Sequence, residues 1–159
     1  MENESIKYTA DQKIEQLNKI YDRYKLRYEK EKPNPLSKIF GGKSPYDHIN
    51  MRFIEDLEEC IEETAETLAH IKETDQALSE DYARRILDIL YADKPKKQET
   101  DYERYLYVAE YYGFAIFPYA TQEVLNEVRN AVLERTPRKH MFPRQLEMVN
   151  MLDELILMN

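Results

Sequence analysis

The chain has 159 residues, of which 42% are hydrophobic and 34% are charged, and its net charge at pH 7 is −8. This length and balance indicate one globular domain and exclude a disordered chain, and the presence of only three glycines argues against a turn-rich β fold. Residues 44–93 contain fourteen acidic and four basic residues, so we expect no direct binding to nucleic acid and an attraction to basic protein surfaces.

The first predicted helix runs from about Thr9 to Lys30. Its apolar and aromatic residues repeat at alternating spacings of three and four, which is the rhythm of a packed helical seam. Pro33 and Pro35 end the helix. The residues of the seam are Ile14, Leu17, Tyr21, Tyr24 and Tyr28.

The second predicted helix follows a glycine-containing loop. Ser44 is suited to the N-cap, Pro45 to the first helical position and Asp47 to the positive end of the helix dipole. The helix continues to about Glu73, and one of its faces is apolar. That face consists of Ile54, Leu57, Ile61, Ala65 and Leu68.

Capping residues mark the next two helices. Ser79 is the predicted N-cap of a third helix, which Pro95 terminates. Thr100 and Glu103 have the spacing of a capping box and begin a fourth helix, and Gly113 is its predicted end.

The last third of the chain is also predicted to be helical. Residues 114–118, with the sequence FAIFP, could form a short buried extended segment. Thr121 caps a fifth helix that reaches Arg135, and a sixth helix opens near Pro143. The pattern therefore predicts an all-α bundle of five or six helices.

The expected subcellular location follows from the single cysteine and from the lack of a segment apolar enough to span a membrane. Cys60 has no partner for an internal disulfide, and helical projection places it away from the apolar stripe of its helix. The last 19 residues are apolar but include Glu147, Asp153 and Glu154, which disqualifies them as a membrane span. We expect a soluble, cytoplasmic protein that does not bind membranes.

Residues 55–70 concentrate seven carboxylates on the second helix. Four of them fall within about 60° of one another on a helical projection and away from the apolar stripe. These four are Glu55, Glu59, Glu62 and Glu66. Three interpretations remain open: an ordinary solvated face, a surface for a basic partner, and a metal site completed by His70, which lies one turn beyond Glu66.

A short motif on the same helix supports an enzymatic alternative. Glu58, Glu59 and Glu62 form an EExxE pattern that resembles the magnesium-binding motif of the all-helical nucleotide pyrophosphohydrolases of the MazG and dUTPase type. The resemblance implies magnesium-dependent release of pyrophosphate. That family also has an ExxD motif on a following helix, and here Arg85 and Asp88 stand at that spacing.

The sixth helix has apolar residues on two opposite sides. Leu146, Val149 and Ile156 line one side, and Met148, Met151 and Leu155 line nearly the opposite one. A helix that is apolar all round is either central in its bundle or contacts a partner. Methionine suits adaptable contact surfaces, so the second side is a candidate interface, either for a partner or for a second copy of the chain.

The favoured prediction is a non-catalytic interaction module of 159 residues, in which residues 1–43 could form a helical arm and loop beside a core of residues 44–159. It would act as an inhibitor or regulator by presenting an acidic helix to a basic protein, for example as a nucleic-acid mimic in a nucleic-acid-binding groove. No catalytic residue, cofactor or metal is predicted. The alternatives are the pyrophosphohydrolase and a structural homo-oligomer, for instance a homodimer, formed through the sixth helix. The predicted partner-binding residues are Glu55, Glu59, Glu62, Glu66, Met148, Met151 and Leu155.

Overall fold

The computed structural model of the chain describes residues 2–31, 46–96 and 98–158. Within these ranges it has six α-helices, three short 3-10 helices and no strand, which confirms the predicted all-α single-domain fold. The α-helices are α1 (Glu2–Lys30), α2 (Asp47–Thr74), α3 (Gln76–Leu90), α4 (Asp101–Ala109), α5 (Gln122–Arg135) and α6 (Pro143–Leu157). The 3-10 helices are Glu110–Ala115, Phe117–Tyr119 and Arg138–His140.

The two longest helices, α1 and α2, pack against each other in antiparallel orientation. Lys13 contacts Glu63 and Tyr28 contacts Asn50, so residues late in α1 meet residues early in α2. The predicted seam of α1 lies at this interface, where Tyr24 packs edge to face against Phe53. α1 therefore contributes directly to the common hydrophobic core.

The predicted start of α1 at Thr9 is wrong, because the helix begins at Glu2. Ala10 is buried and Ile6 packs against the core, which extends the apolar seam by two further turns toward the N-terminus. The hydroxyl of Tyr82 on α3 donates to Asp11 Oδ1 at 2.8 Å and so holds this end of the helix.

The predicted cap of α3 is also wrong. α3 begins one residue after the C-cap of α2, so Asp75 ends one helix and caps the next, and its Oδ1 accepts from the backbone N–H of Leu78 at 3.0 Å. Ser79 lies inside α3 and is buried, and its hydroxyl donates to the carbonyl oxygen of Leu68 at 3.0 Å. The predicted N-terminal box of α2 at Ser44 and Pro45 lies outside the described residues.

The capping box of Thr100 and Glu103 is confirmed at the start of α4. The predicted stop at Gly113 is wrong, since the chain passes from α4 directly into a 3-10 helix that contains Gly113. Residues 114–118 are not extended either, because they lie in two consecutive 3-10 helices joined at Ile116. Their predicted burial is correct for Ile116 and Phe117.

The predicted limits of α5 and the start of α6 are confirmed. The hydroxyl of Thr121 accepts from the backbone N–H of Val124 at 3.2 Å, α5 ends at Arg135, and α6 begins at Pro143. α5 and α6 pack against each other, and the 3-10 segment 110–119 joins them to α2 and α3. No helix in the described ranges has the length and apolar character needed to cross a bilayer.

Candidate functional site

Four carboxylates follow one exposed line along α2, and we call them the acidic row: Glu55, Glu59, Glu62 and Glu66. All four side chains are exposed, as the helical projection predicts. None of them forms an ion pair with a described residue. The row spans three helical turns and places four carboxylates on one accessible surface of α2.

Two acids beside the row are paired with residues of α1. Glu63 forms an ion pair with Lys13. Asp56 accepts a hydrogen bond from the hydroxyl of Tyr24 at 2.5 Å and lies 3.7 Å from the guanidinium of Arg23. These cations of α1 are therefore engaged on the flank of α2 and form no ion pair with the acidic row.

Cys60, which helical projection places away from the apolar stripe of α2, is nevertheless buried. The residue is 0% exposed because α1 covers this side of α2, and its Sγ lies 3.7 Å from the carbonyl oxygen of Lys13. Burial, more than the neighbouring acids, raises the pKa of the Cys60 thiol. The group is therefore part of the core.

The acidic row is bordered by two hydrophobic side chains that the sequence prediction missed. Met51 is 64% exposed and lies one turn before Glu55 on the same side of α2. On the flank that faces the 3-10 segment, Tyr112 is half-buried and packs against the core. Burial and the charges of Glu58 and Glu62 raise the pKa of Tyr112, and the charge of Arg144 opposes this rise. The spacing of Met51 from Glu55 was the available signal in the sequence.

The residues of the proposed metal and pyrophosphohydrolase sites are not gathered around a common point. The nearest acid to His70 is Glu73, whose Oε2 is 4.0 Å from Nδ1, and both side chains are exposed. In the described part of the chain, no group of three or more His, Cys, Asp or Glu side chains is placed to hold a metal ion. The pyrophosphohydrolase alternative stays a prediction, and magnesium-dependent pyrophosphate release that is lost in Glu59→Gln would establish it.

A second charged feature, the buried ion cluster, consists of Lys94, Glu110 and Arg135. The guanidinium of Arg135 donates to both oxygens of Glu110, at 2.9 and 3.2 Å, and the Lys94 ammonium lies 3.3 Å from Oε1. The side chains of Lys94 and Glu110 are each 4% exposed and that of Arg135 is 10% exposed. The cluster ties together the chain after α3, the first 3-10 helix and the end of α5.

Tyrosines surround the buried ion cluster. The Tyr91 hydroxyl donates to the backbone carbonyl of Glu110 at 2.5 Å, and the Arg135 guanidinium lies over the Tyr107 ring. The hydroxyl of Tyr21 is buried without a hydrogen-bond partner among the described residues. Burial lowers the pKa of Lys94 to about 8, although the charge of Glu110 favours the protonated form. The sequence signal for this cluster is Glu110 itself, an isolated acid in the aromatic stretch YVAEYYGF.

The predicted second face of α6 is only partly available for contact. Met148 is 1% exposed and its sulfur lies 3.2 Å from the Tyr91 hydroxyl, so it belongs to the core and its assignment to a partner surface is corrected. Met151 and Leu155 are half-buried and pack against the core. Their contact with a second copy stays a prediction, and it would be established by a molar mass of at least twice 19.1 kDa in light scattering that falls when Met151 and Leu155 are changed to Glu.

Comparison of the chain with protein-family models, with curated proteins and with solved structures found no match. Of the two charged features, the buried ion cluster is closed to solvent and the acidic row is open to it. The acidic row is the candidate functional site.

Proposed function

We propose that the protein is a non-catalytic interaction module that acts as an inhibitor or regulator by presenting the acidic row to a basic protein surface. The observation that carries the proposal is the row itself, in which exposed carboxylates without described partners follow one side of a helix. A surface of this kind accelerates the approach of a basic partner and determines which partner binds.

The dimensions of the row favour an elongated basic groove. Glu55 and Glu66 are separated by eleven residues, or about 16 Å along the helix axis at 1.5 Å per residue. Carboxylates that follow one line at intervals of one helical turn offer a partner a regular series of negative charges, as a nucleic-acid strand does with its phosphates. A nucleic-acid-binding protein is therefore the concrete partner class that we propose.

Affinity also needs an apolar contact, because exposed charges contribute little net free energy to an interface. Met51 supplies such a contact at the N-terminal end of the row, where it stands exposed beside Glu55. Met151 and Leu155 on α6 are half-buried, so they would add less contact area to a partner. We therefore place the centre of the interface on α2.

The proposal is tested by affinity capture from a lysate of the source cell, followed by mass spectrometry. The native protein is compared with a fourfold variant in which Glu55, Glu59, Glu62 and Glu66 are changed to Gln. We expect the native protein to capture a basic protein that the fourfold variant does not retain. The affinity of the variant for this partner should be at least about tenfold lower than that of the native protein. High salt should release the partner from the native protein. Release by duplex DNA would identify the partner's surface as a nucleic-acid-binding groove.

A matched control separates the acidic row from net charge alone. Four other exposed acids are removed together in the control, which lowers the negative charge by the same amount. The control changes are Asp81→Asn, Asp88→Asn, Glu134→Gln and Glu147→Gln. Equal capture by the native protein and by the fourfold row variant, or equal loss in the row variant and the control, contradicts the proposal.

A further inference from the structure

The acidic row ends beside a cleft of about 300 Å³ between α1 and α2. Two residues of α1 and three of α2 line it: Ile6, Thr9, Glu66, Thr67 and His70. Glu66 is the last carboxylate of the row, so the row and the cleft form one continuous surface. The turns of α1 that precede its predicted start complete the cleft, because Ile6 belongs to them.

The antiparallel register of α1 and α2 explains which residues meet in the cleft. Lys13 forms an ion pair with Glu63 across the two helices. Because the helices run in opposite directions, one turn back along α1 lies beside one turn forward along α2. Thr9 is therefore level with Thr67, and these two short side chains leave open the space that the ion pair fills one turn earlier.

The polar side chains of the two walls are acceptors. The hydroxyl of Thr9 donates to the carbonyl oxygen of Ser5 at 3.0 Å, and that of Thr67 donates to the carbonyl oxygen of Glu63 at 3.0 Å. Each hydroxyl has given its only proton to its own helix, so toward a ligand it can only accept. Glu66 adds an exposed carboxylate that forms no ion pair with a described residue. The cleft therefore suits a ligand that is rich in hydrogen-bond donors.

The charge around the cleft favours a cation. Besides Glu66, the rim has a second carboxylate, because Oε2 of Glu73 lies 4.0 Å from Nδ1 of His70. Two lysines of α1 are close in sequence, but Lys13 is engaged in its ion pair with α2, and Lys7 lines a smaller cavity of about 60 Å³ at the junction of α2 and α3. A cation that enters the cleft gains a Coulomb attraction to the exposed carboxylates.

We propose that this cleft receives an arginine side chain of the basic partner, with the guanidinium donating to Glu66. The inference rests on the proposed function, because it names the residue type that one end of the acidic row recognises. Arginine fits better than lysine for two reasons. Its planar fork carries five N–H donors, which match a carboxylate and two acceptor hydroxyls. It also stacks on flat rings, and the side chain of His70 is 65% exposed.

The apolar part of the cleft suits the stem of the same side chain. Ile6 is half-buried and packs against the core, and Thr9 and Thr67 are half-buried as well. A long cationic side chain covers such a surface with its methylene groups while its charged end stays near water. Met51 offers an apolar contact at the other end of the row, so a partner would be anchored at both ends.

The test uses two peptides of equal length and charge, nona-arginine and nona-lysine. Each is titrated into the full chain at low salt and followed by ¹H–¹⁵N NMR. Both peptides should shift the signals of residues 55–66, because the acidic row attracts any series of cations. Nona-arginine should in addition shift residues 6–9 and 67–70, and it should bind at least about threefold more tightly than nona-lysine.

Matched variants at the two ends of the row assign this preference to the cleft. Glu66→Gln and Glu55→Gln remove the same charge from exposed positions of one helix, so both should weaken the binding of both peptides. Glu66→Gln should also abolish the preference for arginine, whereas Glu55→Gln should retain it. His70→Ala should reduce the preference, and His48→Ala, at an exposed histidine near the start of α2, should not.

The outcomes separate this inference from the proposed function. If neither peptide shifts residues 55–66, the row attracts no cations, and both proposals fail. If the two peptides bind the row with equal affinity, the cleft does not select arginine, and this inference alone is overturned. An equal loss of the preference in Glu55→Gln and Glu66→Gln would overturn it as well, because the preference would then belong to the whole row.

Discussion

Glu59 in the acidic row and Glu110 in the buried ion cluster carry the same carboxylate in opposite surroundings. Glu59 is exposed and has no described ion pair, whereas Glu110 is 3% exposed and lies between Lys94 and Arg135. Removal of Glu59 leaves nothing uncompensated in the fold, but removal of Glu110 leaves two buried cations without their counter-ion. We infer that Glu110 is required for stability and that the row is available for binding.

The largest effect is expected from Glu110→Gln. Lys94 and Arg135 would remain buried without a carboxylate, and breaking a buried ion pair costs about 3–5 kcal/mol in the free energy of unfolding. Urea denaturation followed by circular dichroism measures the loss, with Glu59→Gln as the exposed control. A loss below about 1 kcal/mol would show that the cluster is solvated, and the contrast between the two carboxylates would fail.

A smaller effect is expected at Gly113, which packs against Tyr91 beside the cluster. A Cβ atom at this position would collide with Tyr91 Oη and approach Cε2 to 2.9 Å, and the ring is buried and held by the hydrogen bond of its hydroxyl to the Glu110 carbonyl. We expect Gly113→Ala to lower the free energy of unfolding by about 1–3 kcal/mol, as overpacking usually does. Urea denaturation of the single variant measures this loss.

The double variant Gly113→Ala with Tyr91→Phe checks the cause of that loss. Removal of Oη relieves the closest contact, so the double variant should be more stable than the sum of the two single effects predicts. If the losses in the free energy of unfolding are additive, the introduced methyl group does not contact the Tyr91 hydroxyl. The surroundings of Glu110 would then be less tightly packed than we infer for a buried carboxylate.

The third prediction concerns pH and Lys94, whose pKa burial lowers from 10.5 to about 8. Between these two pH values the folded chain has released the proton and the unfolded chain still holds it, so the free energy of unfolding should rise with pH, by about 1–2 kcal/mol. Urea denaturation from pH 7.5 to about 10 measures the rise, which Lys94→Met should remove and Lys19→Met, at an exposed lysine, should not.

The rise should reverse above about pH 10. Burial raises the pKa of Tyr21, Tyr28 and Tyr91 above the ordinary value of 10.0, so unfolded tyrosines release protons that the folded ones keep. The free energy of unfolding then falls with pH. A fall that began already between about pH 8 and 10 in the native protein would contradict the assignment of the rise to Lys94.

Much of the fold could be predicted because periodicity and caps are local. The capping box at Thr100, the cap at Thr121 and the limit at Arg135 all depend on residues within one turn of the helix end, and all three are confirmed. The wrong predictions at Ser79 and Gly113 have tertiary causes. Ser79 is buried where it bonds to Leu68 on the preceding helix, and Gly113 lies under Tyr91 at the end of α3, so neither is free to act as a helix signal.

The sequence predicts more of the acidic row than of the buried ion cluster. The acidic row lies on a single helix, and its exposure follows from the projection of that helix alone. Lys94, Glu110 and Arg135 come from three segments, and their convergence depends on how α3, α5 and the 3-10 segment pack. Met148 is misassigned for the same reason, because the element that covers it is distant in sequence.

The smallest change in stability is expected when the acidic row is neutralised. In the fourfold Gln variant of Glu55, Glu59, Glu62 and Glu66, the free energy of unfolding should change by about 1 kcal/mol or less, as a gain at low salt. The gain arises because like charges one turn apart repel by about 0.2–0.5 kcal/mol per pair, and high salt should abolish it. Urea denaturation at low and high salt measures this gain, with the fourfold variant at residues 81, 88, 134 and 147 as the control.

A loss above about 1 kcal/mol in the free energy of unfolding would mean that the row is engaged within the fold and unavailable to a partner. A gain would mean that the row lowers the stability of the fold slightly, as is common where residues serve binding.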